Sequence, residues 1–343
     1  MIETLRKLCA ADGVSGDEEA VRDLIAEEIS GVKNIDVTTD NLGNLLVFKK
    51  GKLARQPKKR VLFAAHMDEV GFIATYIDSA GFVKIEPVGG IAENVCLGRV
   101  LRFRNGTKGV TGGKPVHLLT DEEKKTPVSF SRLYLDIGAT SKEEAEKFVS
   151  PGDTCTFDSE LIEFGENFVA GKAVDDRLGC AVMIDMIKGG LKYDAYFAFT
   201  VQEEVGTRGA AAAAFSARPD YAVVLEATTA ADVAGVTGAD MICKLGGGAV
   251  VSFMDKSTIY DRELYRLAGK TAKENNLKIQ TKTGIAGGND AGAIHKTAGG
   301  IRTIAISAPC RYIHTPECMY KRIDGLGMRI LAEKMLEKLM TKN

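Results

Sequence analysis

Histidine is scarce in this 343-residue chain, with four in all, and neither sign of charge is in excess: Lys and Arg total 45 against 46 for Asp and Glu. With no basic surplus and no acidic tail, a nucleic-acid partner has no support. The short basic clusters, Lys49 with Lys50 and residues 58–60, read as solvated loop faces. No run of about eighteen apolar residues occurs, so no membrane-spanning helix is expected. The first thirteen residues interleave acids and bases too closely for a signal peptide. The seven cysteines (9, 96, 155, 180, 243, 310 and 318) are odd in number, and none forms a C-x-x-C pair. Neither a disulfide framework nor a thiolate zinc site is indicated, and reduced thiols in a cytoplasmic protein are expected.

What is present is ordinary in bulk, 45% hydrophobic and 27% charged, and long enough for one large domain plus a smaller one. Ser15-Gly-Asp-Glu18 has capping-box spacing and predicts a helix with Val21, Leu24, Ile25 and Ile29 on its apolar face. Short apolar runs at 45–48, 61–65, 196–201, 221–225 and 303–306 predict strands, with a further strand at 278–282. Helices are predicted over 177–187, 210–216 and 261–275. A last amphipathic helix carries Leu326, Ile330, Leu331, Met335, Leu336 and Leu339 as its stripe. Strand–helix alternation implies an α/β fold with a mostly parallel mixed sheet covered by helices. Residues 71–163 differ in texture, with short β segments between turn residues, and read as an inserted β-rich domain within a unit of 1–70 and 164–343.

Ligands of such sheets bind beyond the carboxyl ends of the strands. There the chain places His66 and Asp68, Asp175 and Asp176, Glu203 and Glu204, Glu226 and His314. Singly, each has a plainer reading. A histidine after a strand is usually a satisfied polar group, Glu-Glu before a turn is commonly solvated, and Asp-Asp-Arg is a common helix start. Together at several strand ends they form a nitrogen-and-carboxylate set that suits two zinc, cobalt or manganese ions. In that reading His66 and Glu226 hold one ion, His314 and Glu204 the other, and Asp175 bridges. Glu203 is then the general base for water held between the metals, and Asp68 orients the His66 imidazole. The Gly287–Asp290 loop reads as functional, with His295 beside it structural; His117 reads as an ordinary surface or core residue. Gly246-Gly-Gly248 lacks the Lys-Ser/Thr pair of a phosphate loop.

Five segments, Ala65-His-Met-Asp-Glu-Val-Gly71, Ala173-Val-Asp-Asp-Arg-Leu-Gly179, Val201-Gln-Glu-Glu-Val-Gly-Thr-Arg-Gly209, Gly287-Gly-Asn-Asp-Ala-Gly292 and Pro309-Cys-Arg-Tyr-Ile-His-Thr-Pro316, resemble the M42 metallo-aminopeptidases in content and order. This group includes glutamyl aminopeptidases and TET peptidases. The resemblance implies the same assignments: His66, Asp175, Glu204, Glu226 and His314 as ligands of two divalent metals, Glu203 as base and Asp68 as catalytic aspartate. It selects Asp175 over Asp176 as the bridge and implies a cis bond between them. Glu226 stands where many members have Asp, and Asn289 where Thr or Ser is common. The implied function is removal of N-terminal residues from short peptides. The implied fold has a barrel-like dimerisation insert, through which members build homo-oligomers up to hollow dodecamers. Three other readings stand beside it. A deacylase or carboxypeptidase shares the scaffold, and a non-catalytic oligomeric scaffold would bind metal without turnover. A glycan hydrolase needs only a carboxylate pair, so two histidines at ligand positions argue against it.

Overall fold

The computed structural model describes residues 1–126 and 128–342. Four parallel strands, in the order Ala195–Thr200, Val61–His66, Tyr221–Thr229 and Arg302–Arg311, form the centre of an eleven-stranded sheet. Every residue of Val61–His66 is buried, as a continuous apolar run between two covered faces requires. Antiparallel strands extend both sides. Leu45–Lys49 and Ile35–Thr39 add to one edge, and Cys318–Lys321, Phe168–Gly171 and Ile162–Phe164 to the other. The sheet is therefore mixed, parallel at its core and antiparallel at its flanks.

Helix Val174–Lys188 packs on Val61–His66 and Tyr221–Thr229, and meets helices Ile2–Ala10, Glu19–Ile29 and Arg322–Thr341. Twelve of its fifteen residues are buried, so it reads hydrophobic all round, as an internal helix does. Helix Arg208–Ala217 packs on Ala195–Thr200 beside the short helix Ala291–Ile294. Its alanines let it lie close to the sheet, and Ala210, Ala213 and Ala214 are buried.

Strands between Gly71 and Phe157 close into a six-stranded barrel. Its interior is a second hydrophobic cluster, including Phe72, Val83, Ile85, Leu101, Phe103, Leu135 and Phe157, separate from the core of the large sheet. Burying each such side chain is worth about 1.5–3 kcal/mol, so this unit carries a core of its own.

Four details differ from the sequence expectation. The helix expected to open at Ser15 spans Glu19–Ile29 without a side-chain cap, because the Ser15 hydroxyl is drawn to Asp68 instead. An N-terminal helix, Ile2–Ala10, precedes it. In the last helix Leu326 and Ile330 are exposed, while Met328 and Ala332 share the buried face. Strands Tyr221–Thr229 and Arg302–Arg311 outrun the apolar segments at 221–225 and 303–306, because nine residue pairs hold them together. Glu226 thus sits within a strand rather than after one.

Candidate metal centre

Sheet register brings the first group of side chains together. Ala64 pairs with Val224, and two residues further along, His66 and Glu226 meet, with His66 Nε2 3.5 Å from Glu226 Oε1. The same nitrogen is 3.3 Å from Asp175 Oδ1. On its other side the imidazole Nδ1 faces the Asp68 carbonyl at 3.1 Å and the Asp68 carboxylate at 3.4 Å. A proton on Nδ1 leaves Nε2 as the free lone pair.

The second group comes from loops. His314, with φ +61°, follows Arg302–Arg311 and aims Nε2 at Glu204 Oε2 (3.1 Å) and Asp175 Oδ2 (3.5 Å). Its Nδ1 reaches the Gly90 carbonyl at 2.7 Å, which fixes the ring from the barrel side. His66, Asp175 and Glu226 form one converging cluster, and Asp175, Glu204 and His314 form another, with the donor atoms of each within 4.8 Å of one another. Asp175 belongs to both.

Helix Val174–Lys188 begins with a kink, and the Asp175–Asp176 peptide is cis, as the resemblance implied. Asp176 belongs to neither cluster; its Oδ1 accepts the Gly179 amide at 3.0 Å. A side chain at Gly179 would lie 2.4 Å from the Asp176 carboxylate, which explains the glycine in that motif. Gly209 is similarly constrained, since a Cβ there would meet Asn44 Oδ1 at 2.3 Å and the Val201 carbonyl at 2.6 Å. Asn44 Oδ1 also accepts the Val201 amide and its Nδ2 donates to the Gly209 carbonyl, so it clamps both ends of the loop bearing Glu203 and Glu204.

Asp68 does more than face His66. Its two oxygens accept the amides of Glu203 and Glu204, at 3.0 and 3.1 Å, and Oδ2 also takes the Ser15 hydroxyl at 2.6 Å. Sequence reasoning missed Ser15, Asn44, and the buried set of Glu69, Lys172 and Arg177 behind the site. Glu69 Oε1 lies 2.7 Å from Lys172 Nζ and 3.3 Å from Arg177 Nη2. Position was the available signal, since Glu69 and Arg177 lie inside two of the motifs and Lys172 directly precedes one.

Burial pushes Glu203 well above the usual carboxylate range; His66 opposes this, while Glu226 and Asp290 add to it. Burial likewise pushes Glu226 up to about 8. Burial disfavours the charged His314 ring, yet Asp175 and Glu204 bring it up to about 11. For Asp175 burial is outweighed by His314 and His66, which hold it well below the ordinary range. Crowding several carboxylates around two imidazoles in a buried site is costly without cations, and divalent ions relieve that repulsion. The donor set, two imidazole nitrogens with carboxylate oxygens, suits such ions.

Among the other sequence candidates, Asn289 is buried and bonded to the Tyr260 hydroxyl and the Ala291 amide. His295 binds the Ala291 carbonyl of its own helix at 2.7 Å, a local structural contact. His117 lies exposed in a short 3₁₀ turn.

The sequence model of the M42 glutamyl aminopeptidases matches residues 43–327. The chain belongs to the M42 peptidase family. A protein of Acetivibrio thermocellus, provisionally named an aminopeptidase, is 42% identical to this M42 chain over 318 residues, 92% of each chain. The TET aminopeptidase of the marine archaeon Thaumarchaeota archaeon SCGC AB-539-E09 superposes with a TM-score of 0.94 at 32% identity, over 99% of this chain and 97% of its own. Pyrococcus horikoshii TET1 peptidase, described as assembling into a tetrahedron or a large octahedral shell, gives 0.86 at 34% identity, over 100% and 99%. No helix among the described residues of this M42 peptidase is long and apolar enough to cross a membrane.

Proposed function

We propose that this M42 peptidase is a dinuclear metal-dependent aminopeptidase that removes N-terminal residues from short peptides. The observation that carries the reading is Asp175, which turns one oxygen toward His66 and the other toward His314. His66, Glu226 and Asp175 would hold one ion; His314, Glu204 and Asp175 would hold the second. Zinc, cobalt and manganese all accept this donor set. Bound there, the ions would supply Lewis acidity toward a scissile carbonyl and an attacking water.

The chain's own residues do the rest. Glu203 adjoins the candidate ligand Glu204 yet belongs to neither converging cluster, so its carboxylate is available as a base. It takes a proton from the attacking water and passes it to the leaving amine nitrogen. Asp68 positions Glu203 through the backbone and orients His66. The anchored His314 ring ties one cluster to the barrel side of the molecule.

The same proposal covers the division of labour along the chain. Residues 1–70 and 164–343 form the catalytic domain and residues 71–163 a dimerisation domain, in a dimer-based homo-oligomer working in the cytoplasm. The separate barrel core and the assembly described for the Pyrococcus relative support that arrangement.

The experiment is metal removal, then restoration with zinc, cobalt or manganese, assayed on free and N-acetylated peptides beside Glu203→Gln. Release of N-terminal residues from free peptides alone, lost in the variant, is the expected result. Cleavage of blocked peptides would move the activity to a deacylase or endopeptidase. Bound metal without turnover would leave a scaffold.

A further inference from the structure

Helix Val174–Lys188 has the candidate bridging aspartate near its start and a lysine at its end, about 20 Å away at 1.5 Å per residue. At that far end a cavity of about 530 Å³ is lined by Lys33, Lys49, Lys50, Lys52 and Lys188, with glycines between them and no acidic residue in its lining. Its size falls in the range of about 300–1,000 Å³ usual for small-ligand sites.

The charges there are poorly compensated. Among the described residues only Lys188 of the five has a carboxylate within 4.0 Å, and that partner, Glu28, is shared with Lys7. Lys49 is 8% exposed, and its ammonium has one hydrogen-bond partner among the described residues, the Lys33 carbonyl at 2.9 Å. Burial lowers the Lys49 pKa, with no anion opposing the shift.

Helix dipoles give a structural reason for some of this charge. Helices Glu19–Ile29 and Val174–Lys188 both end at the cavity, where each terminus carries about half a negative charge. Two termini offset about one lysine and Glu28 offsets Lys188, which leaves about three ammonium groups without a counter-charge. All five cations are lysines. Guanidinium groups, which recognise carboxylates two-pronged, are absent from the lining, whereas ammonium groups act as point charges toward phosphate.

We propose that this cavity binds an oligophosphate, free or as the phosphate chain of a nucleotide, at a site separate from the metal centre. The ligand's charges would supply the missing counter-ions. Lys33, Lys50 and Lys52 are exposed, so their replacement leaves the fold intact.

The test is calorimetric titration of metal-loaded protein with sodium tripolyphosphate, ATP and citrate at about 0.15 M salt, where loose surface attraction is screened beyond about 8 Å. Two variants accompany the wild type: Lys33→Gln with Lys50→Gln and Lys52→Gln, and a control, Arg55→Gln with Lys58→Gln, two exposed cations outside the cavity. Any metal withdrawal from the active site is common to all three proteins and cancels in the comparison. Saturable tripolyphosphate binding that weakens tenfold or more in the triple variant, with the control and peptide hydrolysis unchanged, is expected. ATP binding tighter than tripolyphosphate assigns the ligand to nucleotides, and weaker binding assigns it to free oligophosphate. No saturable binding, equal weakening in both variants, or citrate binding as tightly as tripolyphosphate would overturn the proposal.

Discussion

The Asp68 carboxylate accepts the backbone amide of Glu203 at 3.0 Å, so the candidate base is held from behind by the residue that also faces His66. In Asp68→Asn one oxygen becomes an amide nitrogen pointed at an N–H donor. Loss of such a supporting partner costs about 10–100-fold in activity or metal affinity. We expect kcat to fall within that range while the circular dichroism spectrum is retained. Ser15→Ala removes a hydrogen bond to a charged acceptor worth about 1.5–3 kcal/mol, visible as a lowered denaturation midpoint.

The two proposed metal positions should separate by mutation. His314 is 30% exposed at its side chain and His66 only 2%, so the ion held by His314 and Glu204 should leave first on titration with a chelator. His314→Ala should retain about one metal per chain and Asp175→Asn less than either single-histidine variant, because Asp175 serves both clusters. Elemental analysis after gel filtration reads the stoichiometry. Two ions retained in Asp175→Asn would refute the shared carboxylate.

Behind the site, Glu69 is 3% exposed at its side chain and balances Lys172 and Arg177, which are 1% and 0% exposed. Glu69→Gln keeps the shape but removes the carboxylate paired with buried Arg177 and leaves Lys172 with Asp12 alone, 3.5 Å away. Breaking a buried pair in this way costs about 3–5 kcal/mol, so thermal unfolding should begin well below that of the wild type. An unchanged melting curve would mean that the network contributes nothing to stability.

Acid sensitivity should report on the Asp232–Arg311 pair near the His314 turn. Burial alone would raise the Asp232 pKa, but Arg311, bonded to both oxygens at 2.8 Å, and the Leu245 amide bring it below its ordinary 3.8. A carboxyl lowered by folding stabilises fully above its unfolded value and loses that contribution as pH falls through the folded one. Urea midpoints of wild type and Asp232→Asn should therefore differ at pH 6 and converge as the pH is lowered below about 3.8.

The candidate ligands were legible because chain order and strand ends are written locally. An apolar run such as Val61–Ala65 announces a buried strand, and the residues just beyond its carboxyl end lie at the sheet edge where ligands bind. The family motifs then distinguished Asp175 from Asp176, a choice periodicity does not make. The supports were not legible. Ser15 has the spacing of a helix cap, and only the approach of Asp68, fifty-three residues away, redirects its hydroxyl. Leu326 and Ile330 satisfy a helical stripe, yet the crossing of the last helix over the sheet buries Met328 and Ala332 instead.

Lys49 and Lys50 mark the same boundary. As a dipeptide they look like solvated loop charge, and only the convergence of two helix ends beside strand Leu45–Lys49 gathers them and neighbouring Lys52 with Lys33 and Lys188. Sequence by itself determined the alternation of strands and helices, the β-rich insert and the identity of the metal-binding candidates, since these depend on local pattern and on residue chemistry. Tertiary structure decided which oxygen faces which histidine, which backbone amides the Asp68 carboxylate accepts, and where charge is left unbalanced. Those depend on register and helix crossing, which arise from contacts among residues far apart in the chain.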